Sequence, residues 1–255
     1  MSVDPKYYMT PHLSPYVYCA NNPLRLIDAK GKFLKIKFND ELVHALFIAL
    51  FKGEMKLYCP HFYEMTGGYL ELGLDVADKE AKPTAFETLL SEIVNSTDTI
   101  SIEVFNESEE VWVGAPPNPE KGIPGRVDAG DMNRWPTRGA STQAGTLIHE
   151  LWENYWRQRK NNRLGEYDAH ERAITEAENI VNNSVRLSRW PYERPVISTT
   201  TRYGTVYSMK AYRRLIYEQG GKLYDVYINL CIPEASNIIS VDVIERSSST
   251  TQTEK

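Results

Sequence analysis

The stretch GTLIHELWENYW, residues 145–156, brings one histidine and two carboxylates close together: His149, Glu150 and Glu153. On a helix, positions four apart face the same way, so His149 and Glu153 project together. Glu150 lies about 100° further around the axis from His149. An imidazole and a carboxylate on one face can bind a transition-metal cation while the neighbouring glutamate reaches a metal-bound water. The spacing therefore predicts a catalytic metal site with Glu150 as its general base.

The usual form of this pattern, His-Glu-x-x-His, has a second histidine where this chain has Glu153. Catalytic zinc commonly takes three protein ligands from histidine and carboxylate and keeps a fourth position for water. A downstream histidine would restore a set of two histidines and one glutamate, and His170 stands 17 positions after Glu153. We therefore predict that His149, Glu153 and His170 bind Zn²⁺.

Two helices have to position these side chains. The sequence predicts one helix over about 142–159 and a second over about 167–182, joined by the short polar turn KNNRLG. So short a connection favours an antiparallel helical hairpin. At 1.5 Å rise per residue, Glu153 and His170 lie roughly 9 and 5 Å from the turn. With helix axes about 8–10 Å apart, both side chains can reach one cation.

Hydrophobic periodicity predicts an α+β fold, with β-strands flanking the helical hairpin. Before the hairpin we expect a strand that turns into a helix over 33–52 and a second helix over 86–94. We also expect a strand over 99–105 with a hairpin partner over 111–114, and a short strand around Val127. After the hairpin we expect a strand over 205–209, a short helix over 210–221, and two more strands over 223–232 and 237–245. Turn chemistry explains Asp128 and Asp131 in the Gly-rich loop better than cation binding does.

Composition and charge exclude several classes of function. The net charge of −5 and the lack of a basic run argue against nucleic-acid binding. No apolar run reaches the roughly 18 residues of a membrane span, and the best candidate, residues 42–51, is predicted to be a short buried helix. The N-terminus shows no secretory signal peptide. Three well-separated cysteines without a CxxC pair indicate neither a zinc knuckle nor a disulfide framework.

The N-terminal segment resembles a known family. VDP, then SPYVYCANNPLRLID and Gly31, is similar to the end of the core of Rhs-repeat proteins, whose β-shell encloses a C-terminal toxin or effector domain. The family's closing signature is Asp-Pro-x-Gly, a cleavage site in some members, whereas this chain has alanine in place of the proline, at Ala29. The resemblance implies a core remnant over 1–32 and an effector domain over 33–245. The tail, 246–255, is polar and predicted to be disordered.

The hairpin also resembles a family. TLIHELWENY followed by YDAHERAITEAEN is similar to zincin-type metallopeptidase domains that are C-terminal cargo of Rhs-type proteins. The resemblance implies zinc-dependent peptide hydrolysis with His149, Glu153 and His170 as metal ligands and Glu150 as general base. It further implies a toxin in bacterial competition that is delivered to a target cell within an Rhs-type effector. Its expected partners are a protein or peptide substrate and a cognate immunity protein.

Other interpretations of the same residues stay open. If His149 is a buried structural histidine beside a solvated acidic face, the chain is a non-catalytic interaction or structural module with a degenerate metallopeptidase-like fold. Metal-dependent hydrolysis of a non-peptide bond is a third possibility. Glu178 is an alternative carboxylate ligand. Three tyrosines are candidates, by position alone, for stabilising an oxyanion: Tyr167, Tyr203 and Tyr207.

Overall fold

The computed structural model describes residues 34–108, 113–188, 196–202, 205–230 and 238–246, with backbone alone for 196–202, 205–211 and Ile239. The Rhs-like segment, 1–32, and all but the first residue of the predicted polar tail lie outside the described residues. The described part combines helices with two sheets, so the prediction of an α+β fold is confirmed at that level. Within it, no helix is both long enough and apolar enough to cross a membrane.

The first sheet has six strands in the order β2-β3-β1-β4-β6-β5. Their bounds are β1 Leu34–Phe38, β2 Tyr58–Glu64, β3 Leu70–Val76, β4 Ile100–Phe105, β5 Gly114–Ala115 and β6 Gly125–Asp128. β4 pairs in parallel with β1 and with β6, and the other pairs are antiparallel. Of the predicted partner of β4 at 111–114, residues 111 and 112 lie outside the described residues; at Gly114 the prediction is wrong, because Gly114 pairs with β6 and β6 lies between it and β4.

Four of the helices, α1 to α4, begin where the sequence supplies capping side chains. Their bounds are α1 Glu41–Phe51, α2 Ala85–Val94, α3 Ala129–Met132, α4 Gln143–Gln158, α5 Glu166–Arg172, a π-helical stretch Ala173–Glu178, and α6 Asn179–Asn182. Asp40 caps α1, Thr84 caps α2 in a capping box with Glu87, and Thr142 caps α4. Asp128 caps α3 by accepting from the Asp131 N–H at 2.9 Å, which agrees with the turn chemistry expected of both residues.

The predicted helical hairpin is present. α4 matches the first predicted helix, and α5, the π-helical stretch and α6 follow one another from 166 to 182, matching the second. Near the turn, Arg157 of α4 forms an ion pair with Glu166 of α5. At the far end, the Thr142 hydroxyl before α4 donates a hydrogen bond to Asn182 of α6. The hairpin is therefore antiparallel. α4 packs against α1, α2 and β4 with its other surface, which buries its central turns.

The second sheet follows the hairpin and is antiparallel. Its strands are β7 Val185–Arg186, β8 Val196–Arg202, β9 Thr205–Gln219, β10 Lys222–Leu230 and β11 Ile238–Glu245. The order is β11-β10-β9-β7, and β8 also pairs with β9. The predicted short helix over 210–221 is wrong, because that segment continues β9. Leu215 and Tyr217 are buried at alternate positions, and Gly220-Gly221, both with positive φ, form the two-residue turn into β10.

Candidate metal centre

α4 presents His149 and Glu153 to the second arm of the hairpin. The two residues lie one helical turn apart, and only 4% and 7% of their surfaces are exposed. The surrounding core residues of α4 are apolar, among them Ile148 and Trp152. Packing of α4 on both sides therefore holds two polar side chains inside the protein, where each needs a partner.

His170 of α5 completes a compact group with these two residues. His149 Nε2 lies 3.2 Å from His170 Nδ1 and 3.7 Å from Glu153 Oε2. His170 Nδ1 lies 3.1 Å from the same Glu153 oxygen. Tetrahedral zinc with bonds of about 2.0–2.1 Å would place neighbouring ligand atoms about 3.3 Å apart. The group His149, Glu153 and His170, in which the first two residues are buried and the third is partly buried, can therefore hold a metal ion, and we call these three residues the ligand triangle.

The electrostatics of the ligand triangle favour a positive charge at its centre. Burial alone lowers the pKa of His149, but hydrogen bonds to Glu153 and Glu178 outweigh it and raise that pKa to about 10. Burial raises the pKa of Glu153, but hydrogen bonds to His149 and His170 lower it to about 2. The carboxylates thus hold a proton on an imidazole. A cation at this position would supply the positive charge and displace the proton.

Glu178 lies outside the ligand triangle, on the other side of the His149 ring. Its Oε2 is 2.8 Å from His149 Nδ1 and accepts from Arg186 Nη1, also at 2.8 Å. Its Oε1 accepts from the Tyr217 hydroxyl. Burial raises the pKa of Glu178, but Arg186, His149 and Tyr217 hold it well below its usual range. The interpretation of Glu178 as an alternative ligand is therefore not favoured, because its carboxylate faces the nitrogen that points away from the ligand triangle.

Glu150 lies beside the site, against strand β5. A Cβ atom added at Gly114 would stand 1.9 Å from Glu150 Oε2, so the β5 backbone contacts the carboxylate where only glycine leaves room. Burial raises the pKa of Glu150 to about 7; His149 opposes this rise, whereas the negative charges of Glu153 and Glu178 add to it. The residue predicted as general base is thus close to the ligand triangle and is held at the edge of the first sheet.

A cavity of about 400 Å³ adjoins these residues. The ligand triangle, Glu150 and Gly114 line one part of it. Apolar side chains from several elements also line it, namely Val113, Trp135, Leu215 and Ile228. Such a mixture, with a few convergent polar groups among apolar walls, is typical of a site for a small ligand or a substrate side chain.

The remaining predicted candidates have separate positions. Tyr167 lines the cavity and is 51% exposed, whereas the side chains of Tyr203 and Tyr207 lie outside the described residues. The histidines His44 and His61 lie away from the site, where His44 packs between aromatic rings and His61 lies 3.4 Å from Asp75. The sequence did not predict the contacts of Glu178 with Arg186 and Tyr217, because Arg186 lies beyond the end of the predicted second helix and Tyr217 lies 39 positions after Glu178.

No protein-family model, no curated protein and no solved structure matches this chain.

Proposed function

We propose that this chain is a zinc-dependent metallopeptidase with a zincin-like active site, in which His149, Glu153 and His170 bind the metal and Glu150 is the general base. The observation that carries the proposal is the ligand triangle with Glu150 beside it. Three potential ligand atoms lie 3.1–3.7 Å apart, two of them on buried side chains, and the Glu150 carboxylate is held next to them. Three protein ligands would leave zinc a fourth position for water or substrate, as in catalytic zinc sites.

The chemistry of the ligands supports zinc over other common cations. Calcium and magnesium favour oxygen-only sites with more ligands or with several retained waters. Two imidazole nitrogens and one carboxylate oxygen suit zinc and its neighbours in the transition series. The same combination of ligands, in either order along a chain, is typical of catalytic zinc sites that keep one position open.

Each group at the site has a separate role in the proposed hydrolysis. Zinc, when bound, supplies Lewis acidity toward the scissile carbonyl and the attacking water. The Glu150 carboxylate accepts the proton of that water and delivers it to the leaving amine. The ligand triangle holds the reacting groups at one end of the cavity, and the apolar walls limit access of bulk water. Tyr167 is the candidate for oxyanion stabilisation that lies at the cavity.

A peptide is the favoured substrate because of strand β5. β5 is the outermost strand of the six-stranded sheet, and Gly114 in it contacts Glu150. The outer edge of a terminal strand offers backbone N–H and C=O groups to an extended peptide, which can add as a further strand. A peptide bound in this way would pass directly beside the general base and the metal. This observation favours peptide hydrolysis over hydrolysis of another bond.

The biological role is proposed from the resemblance of residues 1–32 and of the hairpin to Rhs-type proteins. On this proposal the chain is a toxin domain delivered into a competing cell as part of a larger effector. A cognate immunity protein would protect the producing cell. The natural substrate would be a protein of the target cell.

The proposal is tested with purified protein. We expect wild type and Glu150→Gln to bind about one zinc per chain, since Glu150 is not a ligand, and Glu150→Gln to lose peptide hydrolysis by at least about 100-fold. His149→Ala should lose the zinc. His61→Ala, a histidine away from the site, is the matched control and should bind zinc and cleave peptides like wild type. A wild-type protein that takes up no zinc would overturn the proposal.

A further inference from the structure

We propose that Glu178 is the positioning residue for the metal ligand His149, and that Arg186 and Tyr217 make the second sheet part of the metal centre by holding Glu178. The inference rests on the proposed function, because it assumes that His149 binds a metal. It extends that function by assigning a role to three buried residues that neither bind the metal nor take part in the proposed proton transfer.

The hydrogen bond between His149 and Glu178 determines which ring nitrogen faces the metal. A carboxylate can only accept, so the 2.8 Å contact places a proton on His149 Nδ1. In the neutral ring the lone pair is then on Nε2, the atom that lies within the ligand triangle. The partner at Nδ1 also fixes the rotation of the ring and raises the basicity of Nε2. Both effects increase affinity for a cation.

Glu178 is itself fixed by donors from the second sheet. Arg186 of β7 donates to one carboxylate oxygen at 2.8 Å, and the Tyr217 hydroxyl of β9 donates to the other. Glu178, Arg186 and Tyr217 are 3%, 6% and 1% exposed. A buried carboxylate is tolerated only when charged partners and hydrogen bonds satisfy it, and here His149, Arg186 and Tyr217 together do so. The carboxylate therefore has one orientation available to it.

The π-helical stretch allows His170 and Glu178 to face α4 together. In a regular α-helix, residues eight apart differ in direction by about 80°. From Ala173 to Glu178 the helix is π-helical, so each residue rotates less about the axis than in an α-helix, and both His170 and Glu178 contact His149 on α4. The second arm of the hairpin thus supplies the proposed ligand His170 and also Glu178, which hydrogen-bonds to the proposed ligand His149. π-helical segments are frequent at functional sites for such reasons.

Zinc affinity distinguishes positioning from a purely structural role. We would measure zinc binding by competition with a chromogenic chelator, and the absorption spectrum of the Co²⁺-loaded protein, for wild type, Glu178→Gln and Tyr217→Phe. Glu178→Gln should weaken zinc binding about 10- to 100-fold and shift the cobalt spectrum. Tyr217→Phe, which keeps the ring and the charges, should weaken binding in the same direction by more than about threefold. Glu176→Gln, two residues earlier on the same helix, should bind like wild type.

The outcomes separate this inference from the proposed function. If wild type binds zinc and cleaves peptides, but Glu178→Gln and Tyr217→Phe bind zinc within twofold of wild type, the positioning role is overturned and the proposed function stands. If Glu178→Gln does not fold, the zinc affinity of Tyr217→Phe alone tests the positioning role, by the same twofold criterion. If wild type binds no zinc, the proposed function fails and this inference fails with it.

Discussion

At the scale of single residues, the centre depends on the difference between the two nitrogens of His149. Nε2 faces Glu153 and His170, and Nδ1 faces Glu178. A neutral imidazole offers one donor and one acceptor nitrogen, whereas His149 lies between the two buried acidic groups Glu153 and Glu178. This arrangement of charges suits a cation, which on the proposed function would replace the proton that the imidazole otherwise holds.

A substitution at Gly114 tests the proposed role of Glu150 as general base. Gly114→Ala should place a methyl group on the Glu150 carboxylate and displace it, because the added Cβ would lie 1.9 Å from Oε2. We expect the kcat for peptide hydrolysis to fall at least about tenfold, with zinc stoichiometry unchanged. Gly53→Ala is the matched control, since a Cβ there meets no atom within 4 Å. Unchanged kcat in Gly114→Ala would contradict the assignment of Glu150 as base.

At the scale of elements, one carboxylate connects two segments of the first part of the fold. Glu87 of α2 accepts from the backbone N–H groups of Lys56, Leu57 and Tyr58, at 2.7–2.8 Å, and of Thr84, at 2.8 Å. It therefore holds the start of β2 against the start of α2. Burial raises its pKa, but the four N–H donors outweigh burial and hold the pKa below its usual value of 4.5.

Replacing this carboxylate should destabilise the fold in a pH-dependent way. Glu87→Gln should lower the free energy of unfolding at pH 7 by about 2 kcal/mol or more, because backbone donors lose a charged acceptor. A carboxylate with a lowered folded-state pKa stabilises fully above its unfolded-state pKa and loses that effect as the pH falls through the folded-state pKa. The difference between wild type and Glu87→Gln, from urea denaturation, should therefore shrink below about pH 4.5.

The exposed Glu80→Gln serves as the control for Glu87→Gln, and we expect its unfolding free energy to lie within about 0.5 kcal/mol of wild type. A difference between wild type and Glu87→Gln that stays constant from pH 7 to pH 3 would contradict the role given to the Glu87 carboxylate.

The sequence predicted the hairpin well because its signals are local. Thr142 marks the start of α4, the spacing of His149 and Glu153 puts both on one face, and the short turn brings His170 back to them. The predicted helix over 210–221 failed because alternation in β9 and helical periodicity are hard to separate in a short apolar segment. The role of Glu178 was missed because Arg186 and Tyr217 reach it only through the sheet, and π-helical geometry leaves no clear pattern in a sequence.

At the scale of the whole molecule, the metal would connect parts of the chain that fold around the hairpin. α4 packs on the first sheet, and Glu178 ties the hairpin to the second sheet. A ligand that binds the folded state alone stabilises it in proportion to the logarithm of its concentration relative to Kd.

Zinc should therefore stabilise the entire domain. At 100 times its Kd, zinc should raise the free energy of unfolding by about 2.7 kcal/mol, and a chelator should reverse the increase in Tm. His149→Ala should show no such response. A wild-type Tm that is the same with zinc and with chelator would contradict a metal site in the folded protein.

The most direct test of the central claim is a crystal structure of the zinc-loaded protein with anomalous scattering measured at the zinc edge. We expect one zinc peak about 2.0–2.2 Å from His149 Nε2, Glu153 Oε2 and His170 Nδ1, with Glu178 still hydrogen-bonded to His149 Nδ1. The absence of a peak at this position, or a zinc ion bound without Glu153 and His170, would contradict it.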